Sequence, residues 1–270
     1  MAGGLGGSAP ARSAKLLPLT PAEASVRTIR IYVDQPLATG TEPDLPAQAA
    51  EHLARVLRLG EGAPVVLFNG DGCDYAAILV HVGKREVRAR IEGAQPVANE
   101  SPLRLTLAQG VARGEKMDLI VQKATELGAA CIVPLLTERS EVRLDPARAE
   151  KRLAHWRAVA ASACEQSGRA RLPAILPAQP LDGWLAGLPQ DGTLRLALLP
   201  DGNQSLRSLA FAPAGGLLVV GPEGGLGERD VATLHAAGFS GLALGPRILR
   251  TETAGLATLA ALQAMHGDMG

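Results

Sequence analysis

The chain has little of what marks several common protein classes. Its 270 residues include three cysteines, Cys73, Cys131 and Cys164. They are too few and too widely spaced for a disulfide framework or a zinc signature. That usage suits a reducing compartment, so the expected location is the cytoplasm. Five histidines are scattered without ligand spacing, and no bound metal is expected. Aromatics are scarce at 3%. No apolar run reaches the ~20 residues that a helix needs to cross a bilayer, so no membrane span is expected. There is no net charge, with 27 Lys and Arg against 27 Asp and Glu. A polyanion would have to be held by a local patch. Neither GxGxxG nor GxxxxGK[ST] occurs, and a dehydrogenase-like reading lacks its fingerprint.

What is present is apolar bulk and turns. Apolar residues make up 47%, enough for one or two globular domains, and there are 31 glycines and 19 prolines. Charge is uneven: residues 101–171 hold 12 Lys and Arg against 8 Asp and Glu, and residues 172–270 hold 5 against 8. The positive excess therefore lies in the middle of the chain. Residues 1–27 are rich in Gly, Ala and Pro, and LLPL is too short for a signal-peptide core. A disordered extension is expected there.

Periodicity divides the remainder. From Arg30 to Ile91, TIRIYVD, APVVLFNG and DYAAILVHVGKREVRARIEG alternate as strands, with a hairpin turn at Asn69-Gly70-Asp71-Gly72. DLPAQAAEHLARVLRL reads as a helix between the first two strands. It would present Arg55 and Arg58 near one another, as a solvated face or a phosphate contact. The polar stretch Gly93 to Pro102 contains a linker at 96–101. Beyond it, strands and helices alternate. EKMDLIVQKATELGAA has an apolar helical face, and Asp145-Pro146 opens a long helix. RLPAILP, TLRLALLP and GGLLVVGP read as strands, with SLRSL and ERDVATLHAAG as helices between them. This α/β pattern predicts a mostly parallel sheet covered on both faces. Trp156 fits core or dimer-interface packing better than a stacking platform.

Two stretches carry the chemistry. In LLVVGPEGGLGERD, Gly221 would bring backbone close to a ligand, Pro222 would fix a turn, and Gly224-Gly225 would accept positive φ. Glu223 is either a surface turn residue or an acceptor for a ligand hydroxyl, ammonium or substrate N–H. In LALGPRILRTETAGL, Arg247, Arg250 and Glu252 interrupt an apolar run, and Thr251 would cap a helix starting at Glu252. This stretch is either an ion-paired turn or a loop in which arginine meets an anion. Two such loops at the carboxyl ends of strands form a natural α/β ligand site. Lys123, Arg139, Arg143, Gln166, Arg169 and Arg171 are further polar and basic candidates.

Together, RTIRIYVD, HLARVLRLGEG, VARGEKMDLIVQKATELG, VPLLTERS, EQSGRARLP, GPEGGLGERD and LGPRILRTETA resemble the 16S rRNA (uracil-N3)-methyltransferase family of the SPOUT class, over all but the N-terminal stretch. The resemblance implies a PUA-like, RNA-binding β-barrel at 28–95. It also implies a trefoil-knotted S-adenosylmethionine domain at 102–270, working as a homodimer with the site near the interface. The cofactor would be enclosed by loops around Leu199-Pro200, at Gly221, Pro222, Glu223, Gly224 and Gly225, and at Leu244, Gly245, Ile248, Leu249 and Arg250. The implied reaction is methyl transfer to N3 of a uridine in 16S rRNA within the small ribosomal subunit. Arg250 would stabilise the imide anion, with Glu223 or Glu252 handling the proton. Arg30, Arg55, Arg58, Lys123, Arg139 and Arg169 are the expected phosphate contacts. Alternatives are methylation of tRNA or 23S rRNA, or a non-enzymatic assembly protein on the same scaffold.

Overall fold

The computed structural model describes residues 29–84, 86–142, 145–209 and 215–270. The expected N-terminal extension and the candidate Arg143 lie outside them. The first unit is a four-stranded sheet in which β1 (Arg30–Tyr32) runs parallel to β2 (Pro64–Phe68). β3 (Cys73–Val82) and β4 (Val87–Pro96) follow antiparallel. Period-2 alternation sets the faces of β4: Val87, Ala89 and Ile91 point inward, and Arg88, Arg90 and Glu92 outward. The stretch 40–45 covers the free edge of β4, donating from Gly40 to Ile91 and from Leu45 to Val87.

The helix between β1 and β2 is shorter than expected. α1 (Ala47–Glu51) continues as a π-helical turn, His52–Val56, and ends. Arg58 lies beyond it with φ +54°, so Arg55 and Arg58 do not share a helical face. Arg55 instead pairs with Glu51 at 2.8 Å.

The second unit is a parallel sheet. Its strands are β5 (Leu105–Gly110), β6 (Cys131–Leu136), β7 (Ala174–Ile175), β8 (Gln179–Pro180), β9 (Leu194–Leu198), β10 (Gly216–Val220) and β11 (Ser240–Leu242). The order is β11-β9-β10-β5-β6-β7, with β8 also on β6. Alternation sends Leu105, Leu107, Leu218 and Val220 to one core. There they meet α2 (Lys116–Glu126), α3 (Pro146–Ser167) and α6 (Thr251–His266). Ala108, Val133 and Val219 go to the opposite core, against α4 (Leu181–Ala186) and α5 (Glu228–Ala236). Both faces are covered, as a parallel sheet demands. Trp156 on α3 is fully buried. Asp145 caps α3 by accepting from the Arg148 amide at 2.9 Å, with Pro146 in its first turn. SLRSL forms a single 3-10 turn, Leu206–Ser208, and RLPAILP only the two-residue β7.

The two units meet where α3 ends. Arg30 donates to Asp74 (2.6 Å), to the Cys164 carbonyl (2.7 Å) and to the Arg169 carbonyl (3.3 Å). Its guanidinium carbon also lies 4.6 Å from the centre of the Phe68 ring. A cation at the carboxyl end of a helix is favourable. The Tyr32 amide donates to Glu165 at 2.9 Å, and the Gly72 amide to the Ala170 carbonyl at 3.2 Å. Burial pushes the Glu165 carboxyl above its ordinary range.

Arg169, buried, forks onto Glu100 (2.6 and 3.0 Å) and donates to the Thr125 and Ala129 carbonyls. Arg30 and Arg169 were expected to contact phosphate. They are instead consumed in the junction, where their donors already have acceptors. Burial raises the Cys131 and Cys164 thiols to about 11, so neither is an activated nucleophile.

Removing a buried, forked arginine leaves its acceptors unsatisfied. Arg169→Met is therefore expected to lower stability by ~2–4 kcal/mol in chemical denaturation. A wild-type unfolding midpoint would show that the junction does not depend on this pair.

Candidate active site

Three strands of the parallel sheet, β9, β10 and β11, lie side by side, and their carboxyl ends open into consecutive loops. After β9 the chain passes Leu199-Pro200. There the backbones of 202 and 241 touch: a Cβ on Gly202 would fall 2.6 Å from the Gly241 carbonyl carbon. The bonds Leu199 N–H to Leu242 O (3.0 Å) and Gln204 N–H to Gly241 O (2.9 Å) hold the crossing.

After β10, GPEGG folds into a closed turn in which the Gly225 amide donates to the Pro222 carbonyl at 2.9 Å, with Gly225 at φ +72°. A Cβ on Gly221 would lie 2.7 Å from the Gly225 carbonyl carbon and the Leu226 nitrogen. Gly221 was expected to serve close approach to a ligand. Its first requirement is the closure of its own loop. Gly224 is less restricted, since its Cβ would lie 3.2 Å from Arg139 Cβ and 3.5 Å from the Arg139 carbonyl oxygen.

After β11, at the sheet edge, the chain returns to the middle of the sheet and enters α6 against β10 and β5. Thr251 does not cap the helix as expected. α6 begins at Thr251 with Arg250 as N-cap, and the Thr251 hydroxyl donates to the Gly221 carbonyl at 2.6 Å. Gln109, fully buried at the end of β5, donates to Thr251 Oγ1 (2.9 Å), the Gly110 carbonyl (3.0 Å) and the Gly221 carbonyl (3.3 Å).

These loops enclose a cavity of about 650 Å³, within the usual range for ligand sites. Leu199, Gly221 to Gly225, Leu244, Gly245 and Ile248 to Arg250 all line it, so the structure brings every expected cofactor position together. Leu198, Val220 and Leu242 make its floor apolar. Glu252 also lines it, and Glu252 Oε2 is buried without a hydrogen-bond partner among the described residues. Arg247 and Arg250 are exposed at the rim, and no hydrogen bond or ion pair engages either guanidinium among the described residues.

Glu223 Oε1 accepts from the Arg113 amide and from Lys116 Nζ, each at 3.1 Å. Burial pushes its pKa up, but the bonds from its own amide, the Arg113 amide and Lys116 outweigh this and hold it below the usual carboxylate range. Such a group is a good acceptor and a poor base. Arg139 Nη1 donates to the Gly224 carbonyl at 3.1 Å. Lys123 pairs with Glu126 at 2.8 Å on α2, and Lys123 does not line this cavity.

Gln109 and Lys116 escaped the sequence reading. Each carried a signal. Gln109 is a polar residue closing an apolar strand beside a glycine, and Lys116 is a cation in the first turn of a helix, where acids are favoured.

Residues 99–263 match the family described as an RNA methyltransferase domain, and residues 45–92 match an RNA methyltransferase PUA domain. Fold and site thus define a two-domain RNA methyltransferase. A ribosomal RNA small subunit methyltransferase E of Bacillus subtilis is 32% identical over 236 residues, 83% of this chain and 92% of that protein. Two solved structures, each 39% identical, cover 90% of this chain and 100% of theirs. One is a putative methyltransferase from Legionella pneumophila in complex with the cofactor SAM, with a TM-score of 0.87. The other is a ribosomal RNA small subunit methyltransferase E from Neisseria gonorrhoeae bound to S-adenosyl methionine, with a TM-score of 0.85. The chain belongs to the ribosomal RNA small subunit methyltransferase E family.

The loop geometry predicts a contrast between two alanine variants of the same turn. Gly221→Ala presses a methyl group into backbone and should lower stability by ~1–3 kcal/mol. Gly224→Ala brings its methyl to 3.2 Å from Arg139 Cβ, a contact relieved by a shift of a few tenths of an ångström, and should cost under ~1 kcal/mol. Thermal unfolding of both variants checks this, and equal midpoints would contradict the closed-turn account.

Proposed function

We propose that the chain transfers a methyl group from S-adenosylmethionine to N3 of a uridine in 16S rRNA, in the small ribosomal subunit. The observation that carries this is the convergence of the loops after β9, β10 and β11 around one cavity with an apolar floor and a free buried carboxylate oxygen. That lining fits the cofactor. Leucine and valine side chains suit an adenine ring, backbone groups of 221–225 and 244–250 suit its polar edges, and Glu252 Oε2 lacks a donor that a ligand hydroxyl or ammonium would supply. The 39%-identical Legionella and Neisseria structures carry the same cofactor in the same fold.

When bound, the cofactor supplies a methyl group on a positively charged sulfur, which departs as a neutral thioether without needing an acid. The work left to the protein is positioning and control of the acceptor nitrogen. Uracil N3 carries a weakly acidic imide proton, so attack requires its loss. Stabilisation of the resulting anion through a uracil oxygen is assigned to Arg250, which lines the cavity and whose guanidinium has no partner among the described residues. Glu252 faces the cavity from the first turn of α6.

Homodimerisation is part of the proposal. α2 and α6 pack together, and Leu119 on α2, Met265 on α6 and Met269 just beyond it are exposed apolar side chains that a second copy would cover. Phosphate contacts are assigned to Arg55, Arg58 and Lys123, because Arg30 and Arg169 are committed to the junction and Arg139 lines the cavity. Among the described residues no helix is long and apolar enough to cross a membrane, and no group of three potential metal ligands gathers. The cytoplasm is the proposed location.

Purified protein given methyl-labelled cofactor and undermethylated small subunits should deposit label recovered as 3-methyluridine on nucleoside analysis. Label on a ribose oxygen or a guanine nitrogen would overturn the assignment, and label only on tRNA or 23S rRNA would move the substrate.

A further inference from the structure

Uracil presents three groups in a row along its pairing edge: a carbonyl oxygen, the N3–H and a second carbonyl oxygen. A site that reads this edge needs a donor, an acceptor and a donor in the same order. The GPEGG loop supplies the acceptor. Glu223 Oε1 is occupied by the Arg113 amide and Lys116 Nζ, whereas Oε2 accepts no hydrogen bond from another residue among those described. Two donors come from the residues that hold this loop, Lys116 bonded to Glu223 and Arg139 bonded to the next residue, Gly224. Lys116 Nζ has three protons and uses one on Glu223, and it lines the cavity. Arg139, also lining the cavity, is anchored through one guanidinium nitrogen on the Gly224 carbonyl, which leaves its remaining N–H groups.

Building on the uridine-N3 reading, we infer that Lys116, Glu223 and Arg139 form the recognition edge for the target base. Glu223 Oε2 accepts the N3–H, and Lys116 and Arg139 donate to the flanking oxygens. Cytosine is rejected by the same array, because it has no N3 proton to give Glu223 and turns an amino group toward a cation.

The arrangement also assigns roles in the proton transfer. Glu223 is ionised at neutral pH and is a poor base, so it cannot by itself pull a proton from a weak acid. The cations beside the uracil oxygens must make N3 more acidic, with Lys116 adding to what Arg250 provides. The N3–H bond breaks and its proton passes by way of Glu223 to water. The N3–CH3 bond forms as the S–CH3 bond breaks, and that electron pair stays on sulfur. The products are 3-methyluridine, a neutral thioether and one proton.

Lys116 is half-exposed at the start of α2, so Lys116→Met should fold normally. The test uses the full chain, after the wild type has been shown to make 3-methyluridine; failure of that step would sink the earlier reading, not this one. On small subunits reconstituted with ordinary 16S rRNA, Lys116→Met should lower kcat/KM by ~10²-fold, with affinity for S-adenosylhomocysteine unchanged in calorimetry. On subunits reconstituted with 5-fluorouridine-substituted rRNA, whose N3 is more acidic, the variant should return to within ~5-fold of wild type. Equal losses on both RNAs would make Lys116 a phosphate contact and overturn its role at the base. Wild-type rates on ordinary rRNA, or lost cofactor affinity, would do the same.

Discussion

The Gly221 carbonyl oxygen is the point on which the site depends. It lies at the end of β10 and receives the Thr251 hydroxyl at 2.6 Å and Gln109 Nε2 at 3.3 Å. Its two donors come from the start of α6 and the end of β5. One buried acceptor thus ties together the loop after β10, the chain returning from β11 and the neighbouring strand. In an interior shielded from water, a carbonyl stripped of its donors has no alternative partner and carries the cost of desolvation. The closed GPEGG turn, the wall it forms and the position of Glu252 one residue beyond Thr251 all rest on this anchor.

The junction between the two units applies the same rule to charge. Arg30 and Arg169 are among the least exposed cations of the described residues, and each makes four hydrogen bonds to carboxylate or carbonyl oxygens. Such groups tie the PUA-like unit to the methyltransferase domain, and their charge is already met by Asp74 and Glu100. The cations around the cavity differ. Arg247 and Arg250 have no side-chain partner among the described residues, and Lys116 and Arg139 are only partly committed. Burial with partners separates structural from functional arginines here better than local charge density does.

Much of this architecture was legible in the chain because it is written locally. GPEGG declares a tight turn through its own glycines, and LGPRILRTETA declares an irregular approach to a helix through charges interrupting an apolar run. Asp145-Pro146 marks the start of α3 by capping chemistry that depends on adjacent residues alone. The loop at Leu199-Pro200 was reached only through the family resemblance, since nothing in its composition distinguishes it. What failed was non-local. Gln109 and Lys116 meet their partners across 112 and 107 residues. Arg30 and Arg169 look like surface charge until Asp74 and Glu100 are brought to them. RLPAILP reads as a strand, but its prolines cannot donate to a ladder, and only Ala174–Ile175 pair. Arg58 was placed on a helix that has already ended in a π-helical turn.

The account's central claim is that hydrogen bonding to the Gly221 carbonyl holds the cofactor loops in register. It is tested most directly by titrating S-adenosylhomocysteine into Thr251→Val and Thr251→Ser in a calorimeter. Valine keeps the shape and removes the donor, while serine keeps the donor. The predicted result is affinity ~10- to 100-fold weaker for valine, with serine close to wild type. Valine binding as tightly as the wild type would contradict it.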